Sequence, residues 1–233
     1  MLEYLQNASE ELKSLTDYAT NREQLTLRRD KLYREAYDSA KELSSIRQRV
    51  SDDFCTRVGA EMAFLEMPNV RLAVSREEVE LNARGIDRIE FLISTNPGEE
   101  PKPVSKIASG GELSRMMLAV KTVLSKADFV ATLIFDEIDT GISGSAAGRV
   151  GKKLAMLSRD RQVLCVTHQA QIAAFADNHL FISKTVRDGR TFTGVAALDH
   201  SGRVRELARI VGGEQIADTA LSHAEELLHE AHS

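Results

Sequence analysis

The sequence of 233 residues has no tryptophan, only two cysteines and four prolines, and no long apolar run. Cys55 and Cys165 lie far apart without metal-ligand spacing, so they predict neither a disulfide framework nor a zinc site. No apolar segment approaches the length of a membrane span, and the N-terminus carries no apolar core of a signal peptide. We therefore expect a cytoplasmic protein with no membrane partner.

Charge of neither sign dominates the sequence. Lysine and arginine number 30 against 35 aspartate and glutamate residues, which gives a net charge of -5 at pH 7. This balance provides no bulk electrostatic attraction to nucleic acid or to an anionic membrane. Any contact with DNA must therefore be local or be made by other polypeptide.

Glycine and proline are both absent before Gly59, and the opening segment is rich in residues of high helix propensity. This composition predicts one long helix over residues 1–58. Apolar or small side chains recur seven positions apart, which is typical of a coiled-coil seam. They form three series, with a slip of register near residues 20–25: Leu5, Leu12 and Ala19; Leu25, Leu32 and Ile46; and Ala36, Leu43 and Val50. We interpret residues 1–66 as a coiled-coil arm; the alternative is a solvated helix folded along its own domain.

All four prolines lie between Pro68 and Pro103, where short strands are predicted to replace the helix. Alternating apolar residues predict strands at 70–74 and 89–93, joined by a turn at residues 84–85. The boundary between the two parts of the chain is therefore placed at residues 66 and 67.

The rest of the chain, after a predicted loop at 95–106, alternates helix and buried strand. This order predicts an α/β fold in which a parallel sheet has flanking helices and is accompanied by antiparallel strands. The predicted elements are a helix at 112–126, a strand at 131–135, a helix at 145–157, a strand at 163–166, two strands between 179 and 198, and helices at 203–211 and 216–231. We interpret residues 67–233 as one globular lobe.

The apolar run at 132–135 ends in Asp136 and Glu137. The carboxyl end of a buried parallel strand faces the crevice where ligands bind in open α/β sheets. Asp136 is a candidate Mg²⁺ ligand, because this ion prefers oxygen ligands. Glu137 is a candidate for polarising a water molecule that attacks a γ-phosphate. A strand that merely ends in solvated acidic residues is the alternative.

A second candidate site comprises Ser109, Gly110, Gly111 and Glu112. Backbone N–H groups at the start of a helix stabilise an anion, and the Ser109 hydroxyl adds a further donor. Glu112 lies in the predicted first turn, where a carboxylate also favours the helix dipole, so simple capping is its alternative role.

Four motifs occur in the order that is found in ABC-type ATPases. The sequence SGGELSR at 109–115 resembles their signature motif, and LIFDE at 133–137 resembles their Walker B strand. IDTG at 138–141 resembles the D-loop, and VTH at 166–168 resembles the switch-histidine loop. Over nearly the whole chain, the sequence around these motifs is similar to that of RecN-type DNA-repair ATPases, which are SMC-like proteins.

This resemblance implies the C-terminal half of an ABC-type ATPase head, with ATP and Mg²⁺ as cofactors. Ser109, Gly110 and Gly111 would contact the γ-phosphate of a nucleotide that is held by the other head of a homodimer. Asp139 would help to align the two heads. His168, which Gln169 follows, would sense the same phosphate.

The sequence lacks the G-x-x-x-x-G-K-[ST] loop that wraps the β-phosphate. The nearest string, at 148–153, fails at its required glycine and hydroxyl positions and lies in a helical pattern. In RecN-type proteins this Walker A loop lies in an N-terminal head segment, beyond a long antiparallel coiled coil. The resemblance therefore implies a partner segment, from the same full-length protein or a separate chain, and an isolated chain without ATPase activity.

The implied function is ATP-driven head dimerisation, coupled to clamping or bridging of DNA in double-strand break repair and recombination. An SOS-type damage response and association with the nucleoid are further expectations of the resemblance. One alternative is the head of another SMC-like, chromosome-organising ATPase; another is a non-catalytic coiled-coil interaction fragment. A transporter subunit is disfavoured, since such subunits need no long arm.

Overall fold

A computed structural model describes residues 1–106, 110–187, 189–213 and 215–232. The chain divides into two compact units, each discontinuous in sequence. The first unit combines Met1–Asp53 with Val74–Phe91, and the second combines Phe54–Ala73 with Leu92–Ser233. The division of the chain at residue 67 into a coiled-coil arm and a lobe remains a prediction.

Helix α1 is continuous over Leu2–Phe64, which confirms the predicted long helix and extends it past Gly59. Glycine costs up to about 1 kcal/mol relative to alanine within a helix. The helix continues here because Val58 and Met62, on either side of the glycine, are fully buried in the core of the second unit. The packing of these side chains therefore outweighs the low helix propensity of Gly59.

Strands β1 (Arg71–Asn82) and β2 (Gly85–Ser94) are hydrogen-bonded neighbours, which confirms the two predicted strands at greater length. In the first unit their connection lies against α1. Gly85 has a φ of +96°, and a Cβ atom placed there would lie 3.3 Å from Arg47 Nη1. Glycine at the start of β2 thus permits both the turn and the close approach to the helix.

The predicted loop at 95–106 is wrong in part. Strand β3 (Lys102–Pro103) pairs antiparallel with β2, and a 3₁₀ turn follows at Val104–Lys106. A proline has no N–H to donate, but an edge position tolerates this loss. The prolines in this segment therefore did not exclude a short strand.

In the second unit, helix α2 (Gly110–Val123) precedes strand β4 (Thr132–Phe135), and helix α3 (Gly144–Ser158) precedes strand β5 (Gln162–Cys165). The two strands pair in parallel, with Phe135 opposite Cys165. The predicted α/β alternation and the parallel pairing are confirmed. Since both strands end at the same edge, the segments that follow them emerge side by side.

The remaining elements follow the predicted order, with one addition. A short helix, α4 (Ala170–Ala173), comes directly after β5 and was not predicted. Strands β6 (Leu180–Arg187) and β7 (Arg190–Ala197) form an antiparallel pair, and helices α5 (His200–Gly212) and α6 (Asp218–Ala231) complete the chain. These confirm the predicted antiparallel strands and C-terminal helices; Asp188, in the predicted turn, lies outside the described residues.

The C-terminal end of α1 is fastened to α3 within the second unit. Lys153 Nζ lies 2.5 Å from Glu61 Oε2 and 4.9 Å from the centroid of the Phe64 ring. Arg149 also lies over this ring, and Ser145 Oγ donates to Glu66 Oε1 at 3.0 Å. The helix that follows the acidic turn after β4 is therefore in direct contact with the end of α1.

Within the described ranges, no helix is both long enough and apolar enough to cross a membrane.

Candidate functional site

The acidic pair after β4 begins a tight turn with an unusual backbone. Leu133 and Phe135 are buried in the core, whereas Asp136 and Glu137 are exposed. Asp136 Oδ1 accepts the N–H of Glu137 at 2.9 Å. Glu137 has a φ of +56°, a region that residues other than glycine seldom occupy and that is concentrated at functional sites. The fold thus holds the Glu137 side chain in a direction that an ordinary extended residue would not give.

The glycine-led start of α2 lies against this turn. A Cβ atom on Gly110 would lie 2.5 Å from Glu137 Oε2, and one on Gly111 would lie 2.9 Å from Thr140 O. Gly111 is therefore required for the close approach of the helix to the backbone of the turn, and Gly110 leaves room for the Glu137 carboxylate. The Glu137 carboxylate is at the N-terminal end of α2, where the helix dipole and open N–H groups favour an anion.

Two further side chains of α2, whose roles sequence reasoning missed, bind the turn. Ser114 Oγ donates to Asp136 O at 2.9 Å. The buried Arg115 donates through Nη1 to Ile138 O at 3.2 Å and to Thr140 O at 2.8 Å. Both residues follow the glycines by helical spacing, which was the only signal that could have indicated these contacts.

Burial sets the electrostatics around Arg115. Burial lowers the pKa of this guanidinium, while the charges of Glu112 and Asp139 act in the opposite direction. An arginine stays charged in proteins at physiological pH. Its positive charge is therefore fixed beneath the turn, where it compensates part of the local negative charge.

The segment after β5 joins the same site through Asp139. Its Oδ2 atom accepts from Thr167 Oγ1 at 2.6 Å and from the His168 N–H at 2.8 Å, and it lies 3.0 Å from His168 Nδ1. Gln169 donates through Nε2 to Ile142 O at 3.3 Å. The predicted residues from both strand ends are thus brought together, and Thr167 is an addition that sequence reasoning missed.

Cys165 packs against the core, and its thiol is not expected to react. Burial, with added contributions from the charges of Asp139 and Asp136, raises the pKa of its thiol to about 12. A thiol with this pKa is neutral near pH 7 and a poor nucleophile. The interpretation of this cysteine as a packing residue is consistent with its position.

Ser109 was predicted to contact phosphate, but it lies outside the described residues. Asp136 was predicted to hold Mg²⁺. This ion commonly takes one or two carboxylates and completes its shell with water and substrate phosphates, so a single exposed carboxylate at a strand end fits such a role. Within the part of the chain that is described, no group of three or more His, Cys, Asp or Glu residues could hold a metal ion.

The string at 148–153 that partly resembles a phosphate loop lies inside α3. A Cβ atom on Gly151 would lie 2.5 Å from Cδ2 of the Phe175 ring, so this glycine permits close packing. Lys153 is paired with Glu61. These contacts give the string a structural explanation.

Comparison with known proteins identifies several relatives. The chain is 38% identical to the DNA repair protein RecN of Bacillus subtilis over an alignment that covers 99% of this chain and 43% of that protein. It is 43% identical to RecN of Treponema pallidum, with 98% of this chain and 41% of that protein covered. The chain thus spans about two fifths of the length of these curated relatives.

Other comparisons are less informative. No family model matches the chain. A solved Smc head domain with a coiled coil and joint, from Pyrococcus yayanosii, is 21% identical, with a TM-score of 0.49 over 83% of this chain and 32% of that one. This likeness is too weak to add to the architecture given above. The sequence identity to RecN over nearly the whole chain is decisive: the chain belongs to the RecN family and matches the C-terminal part of its members.

Proposed function

We propose that this chain supplies one half of a composite ATP-hydrolysing site in an SMC-like ATPase of DNA double-strand break repair and recombination. The observation that carries the proposal is the convergence of three segments on one turn. The acidic pair after β4 lies in the turn at residues 136–142, and this turn is contacted by the first turns of α2 and by the histidine segment after β5. Chemistry at such a site consists of positioning and charge stabilisation.

Each predicted site residue has a place in this scheme. Asp136 holds Mg²⁺, which when bound neutralises charge on the phosphates. Glu137 orients and polarises the attacking water, and His168 with Gln169 faces the γ-phosphate. The chain's Ser109, Gly110 and Gly111 receive the γ-phosphate of a nucleotide that the other head holds, and Glu112 supports the start of α2.

The parallel sheet supports the presence of a second polypeptide segment. Buried Leu133 and Phe135 cover one face of β4, but Ile134 on the other face is 72% exposed, and Leu164 and Val166 beside it are exposed too. Parallel sheets are normally covered on both faces. We propose that the segment carrying the Walker A loop covers this face and completes the site.

The apolar residues of α1 support a coiled-coil partner. Leu5, Leu12, Leu25 and Leu32 are exposed along one helix at the predicted seam positions. A paired helix would remove them from water, at roughly 25 cal/mol per Å² of apolar surface. In the proposed complete protein, two heads close on ATP as a homodimer, the coiled-coil arms move, and the assembly clamps or bridges DNA at the nucleoid.

The proposal is tested by Glu137→Gln in a complete protein that contains the Walker A segment. We expect ATP binding to be retained and turnover to fall by about 10²-fold or more, since general-base catalysis typically contributes this much. Glu100→Gln, at an exposed position in a connecting segment, is the matched control and should turn over normally. Unchanged hydrolysis in the Glu137 variant would reject the assignment of the base.

A second test uses the chain alone. Because it lacks the loop that wraps the β-phosphate, we expect no tight ATP binding and no ATPase activity. Isothermal titration of the chain with Mg-ATP should give no measurable heat of binding at sub-millimolar concentration. A sub-millimolar dissociation constant would contradict the proposal that half of the site is supplied by another segment.

A further inference from the structure

We infer that Asp139 is a positioning residue that acts within its own chain, where it fixes the orientation and the tautomer of His168. This inference deepens the proposed function and rests on it for the role of His168 toward phosphate. The expectation that Asp139 helps to align two heads stays a prediction, and a kinetic test separates the two roles. The geometric part of the inference concerns only residues of the described chain.

The burial of Asp139 is opposite to that of the histidine it contacts. Asp139 is only 3% exposed, whereas the His168 side chain is 74% exposed. The carboxylate lies beneath the turn and the imidazole lies on the surface. A buried carboxylate needs hydrogen-bond donors from its own surroundings, and Thr167 and the His168 backbone supply them here.

One carboxylate oxygen of Asp139 contacts both Thr167 and His168 in the segment that follows β5. The Thr167 hydroxyl, the His168 backbone N–H and His168 Nδ1 all lie within 3.0 Å of Oδ2. Thr167 Oγ1 in turn accepts the N–H of Gln169 at 3.0 Å. The backbone of residues 167–169 is therefore held by a short chain of bonds that ends at a single charged group.

These contacts determine which imidazole nitrogen carries the proton. An unprotonated Nδ1 would turn its lone pair toward the Asp139 carboxylate oxygen 3.0 Å away, so the negative charge favours a proton on this nitrogen. Gln169 Nε2 lies 3.4 Å from His168 Nε2, and an amide nitrogen can only donate, so His168 Nε2 is the acceptor. Both neighbours assign the same tautomer from the hydrogen-bond network.

This tautomer matters for recognition of a phosphate. A neutral ring protonated at Nδ1 presents the Nε2 lone pair to solvent. At this nitrogen the ring can accept a hydrogen bond from a water molecule beside the phosphate, while Asp139 holds the ring in that orientation. A carboxylate that orients a metal-ligating histidine commonly contributes a factor of about 10 to 100 in activity or affinity, and we expect an effect of this size at His168.

The direct test is the tautomer of His168 in the isolated chain, measured by long-range ¹H–¹⁵N NMR. We expect the Nδ1–H tautomer in the unmodified chain and a loss of that preference in Asp139→Asn. The His168 backbone amide should also exchange with solvent at least about 10-fold faster in the variant, since its acceptor is weakened. An unchanged tautomer and an unchanged exchange rate would overturn the inference.

Two further variants separate positioning from a general loss of structure. Asp199→Asn makes the same chemical change at the N-cap of α5, where the carboxylate accepts from Gly202 N at 2.7 Å; it should leave the His168 tautomer unaltered. Thr167→Val removes one donor to Asp139 but keeps the charge, so it should retain the tautomer. Loss of the tautomer in either of these variants would assign the ring orientation to overall packing and overturn the inference.

A kinetic test uses the complete protein. Asp139→Asn should lower kcat about 10-fold or more with little change in KM for ATP, at every protein concentration. A defect that disappears as protein concentration rises would instead assign Asp139 to head alignment. If Glu137→Gln leaves hydrolysis intact, the proposed function fails, but the NMR result on Asp139 and His168 still stands alone.

Discussion

Two buried carboxylates, one in each unit, are satisfied in different ways. The Asp87 side chain is 2% exposed and is surrounded by cations: Arg47 Nη1 lies 3.1 Å from Oδ2, and Arg76 Nη1 lies 3.5 Å from Oδ1. Ser44 Oγ donates to it at 2.8 Å, and Arg76 in turn donates to the Ser44 hydroxyl. Asp139 is as well covered, but its donors are a hydroxyl and a backbone N–H, and an exposed histidine ring lies 3.0 Å away.

The two carboxylates differ in what they hold in place. One joins secondary-structure elements to each other, and the other orients a side chain at the protein surface. Asp87 ties β2 and β1 to α1 through two guanidinium groups that are themselves half-buried. Asp139 ties one turn to the next and leaves a titratable ring at the surface. The residue type and the burial are the same, so the partners, and not the acid itself, indicate which site has a function.

The largest effect is expected at Asp87. Asp87→Ala removes the carboxylate that neutralises the charges of Arg47 and Arg76, so we expect the free energy of unfolding to fall by about 2 kcal/mol or more. Urea denaturation followed by circular dichroism measures this change.

Glu77→Ala is the matched control for that experiment. Glu77 pairs with Arg88 at 3.0 Å, but both side chains are exposed. Such pairs typically contribute less than about 1 kcal/mol. An equal loss in the two variants would remove the distinction between the Asp87 network and an ordinary surface ion pair.

A smaller loss of stability is expected at Asp139. Asp139→Ala leaves a hydroxyl and a backbone N–H beside an exposed ring, and water can reach part of this segment. We expect the free energy of unfolding to fall by about 1 kcal/mol, measured by the same denaturation. A loss as large as that of Asp87→Ala would mean that Asp139 is chiefly structural.

The smallest effect is expected on the pH dependence of stability, where the contribution of Asp87 should decrease in acid. Burial alone would raise the pKa of this carboxyl, but the hydrogen bonds from Ser44 and Arg47 and the charges of Arg76 and Arg47 outweigh it, so the pKa is lowered. The stabilisation is complete above the unfolded pKa of about 3.9 and is lost as pH falls through the lower folded pKa. The difference in urea midpoint between the unmodified chain and Asp87→Asn should therefore shrink below about pH 4. A constant difference down to about pH 2 would contradict the lowered pKa.

Much of the fold follows from local sequence features. The absence of breakers predicted α1, and apolar runs bounded by polar residues predicted β4 and β5 as parallel neighbours. The elements that sequence reasoning missed are the shortest ones, β3 and α4. A strand of two residues and a helix of four residues carry no periodicity, so only tertiary contacts define them.

The candidate site was predictable in its members but not in its contacts. Parallel strands that end at one edge bring Glu137 and His168 near each other by topology alone. The partners of Asp139 could not be read from the sequence, because Thr167 lies 28 positions away. The burial of Asp87 could not be predicted for a related reason, because an acidic residue in a strand of alternating pattern is expected to lie on the solvent-exposed face.

The fastening of α1 to α3 has a mechanical consequence for the molecule. The helix α3 starts at Gly144, directly after the turn that carries the acidic pair, and its Arg149 and Lys153 grip the Phe64 ring at the end of α1. A movement of that turn would therefore displace α3 together with the last turns of the 63-residue helix α1 that it contacts.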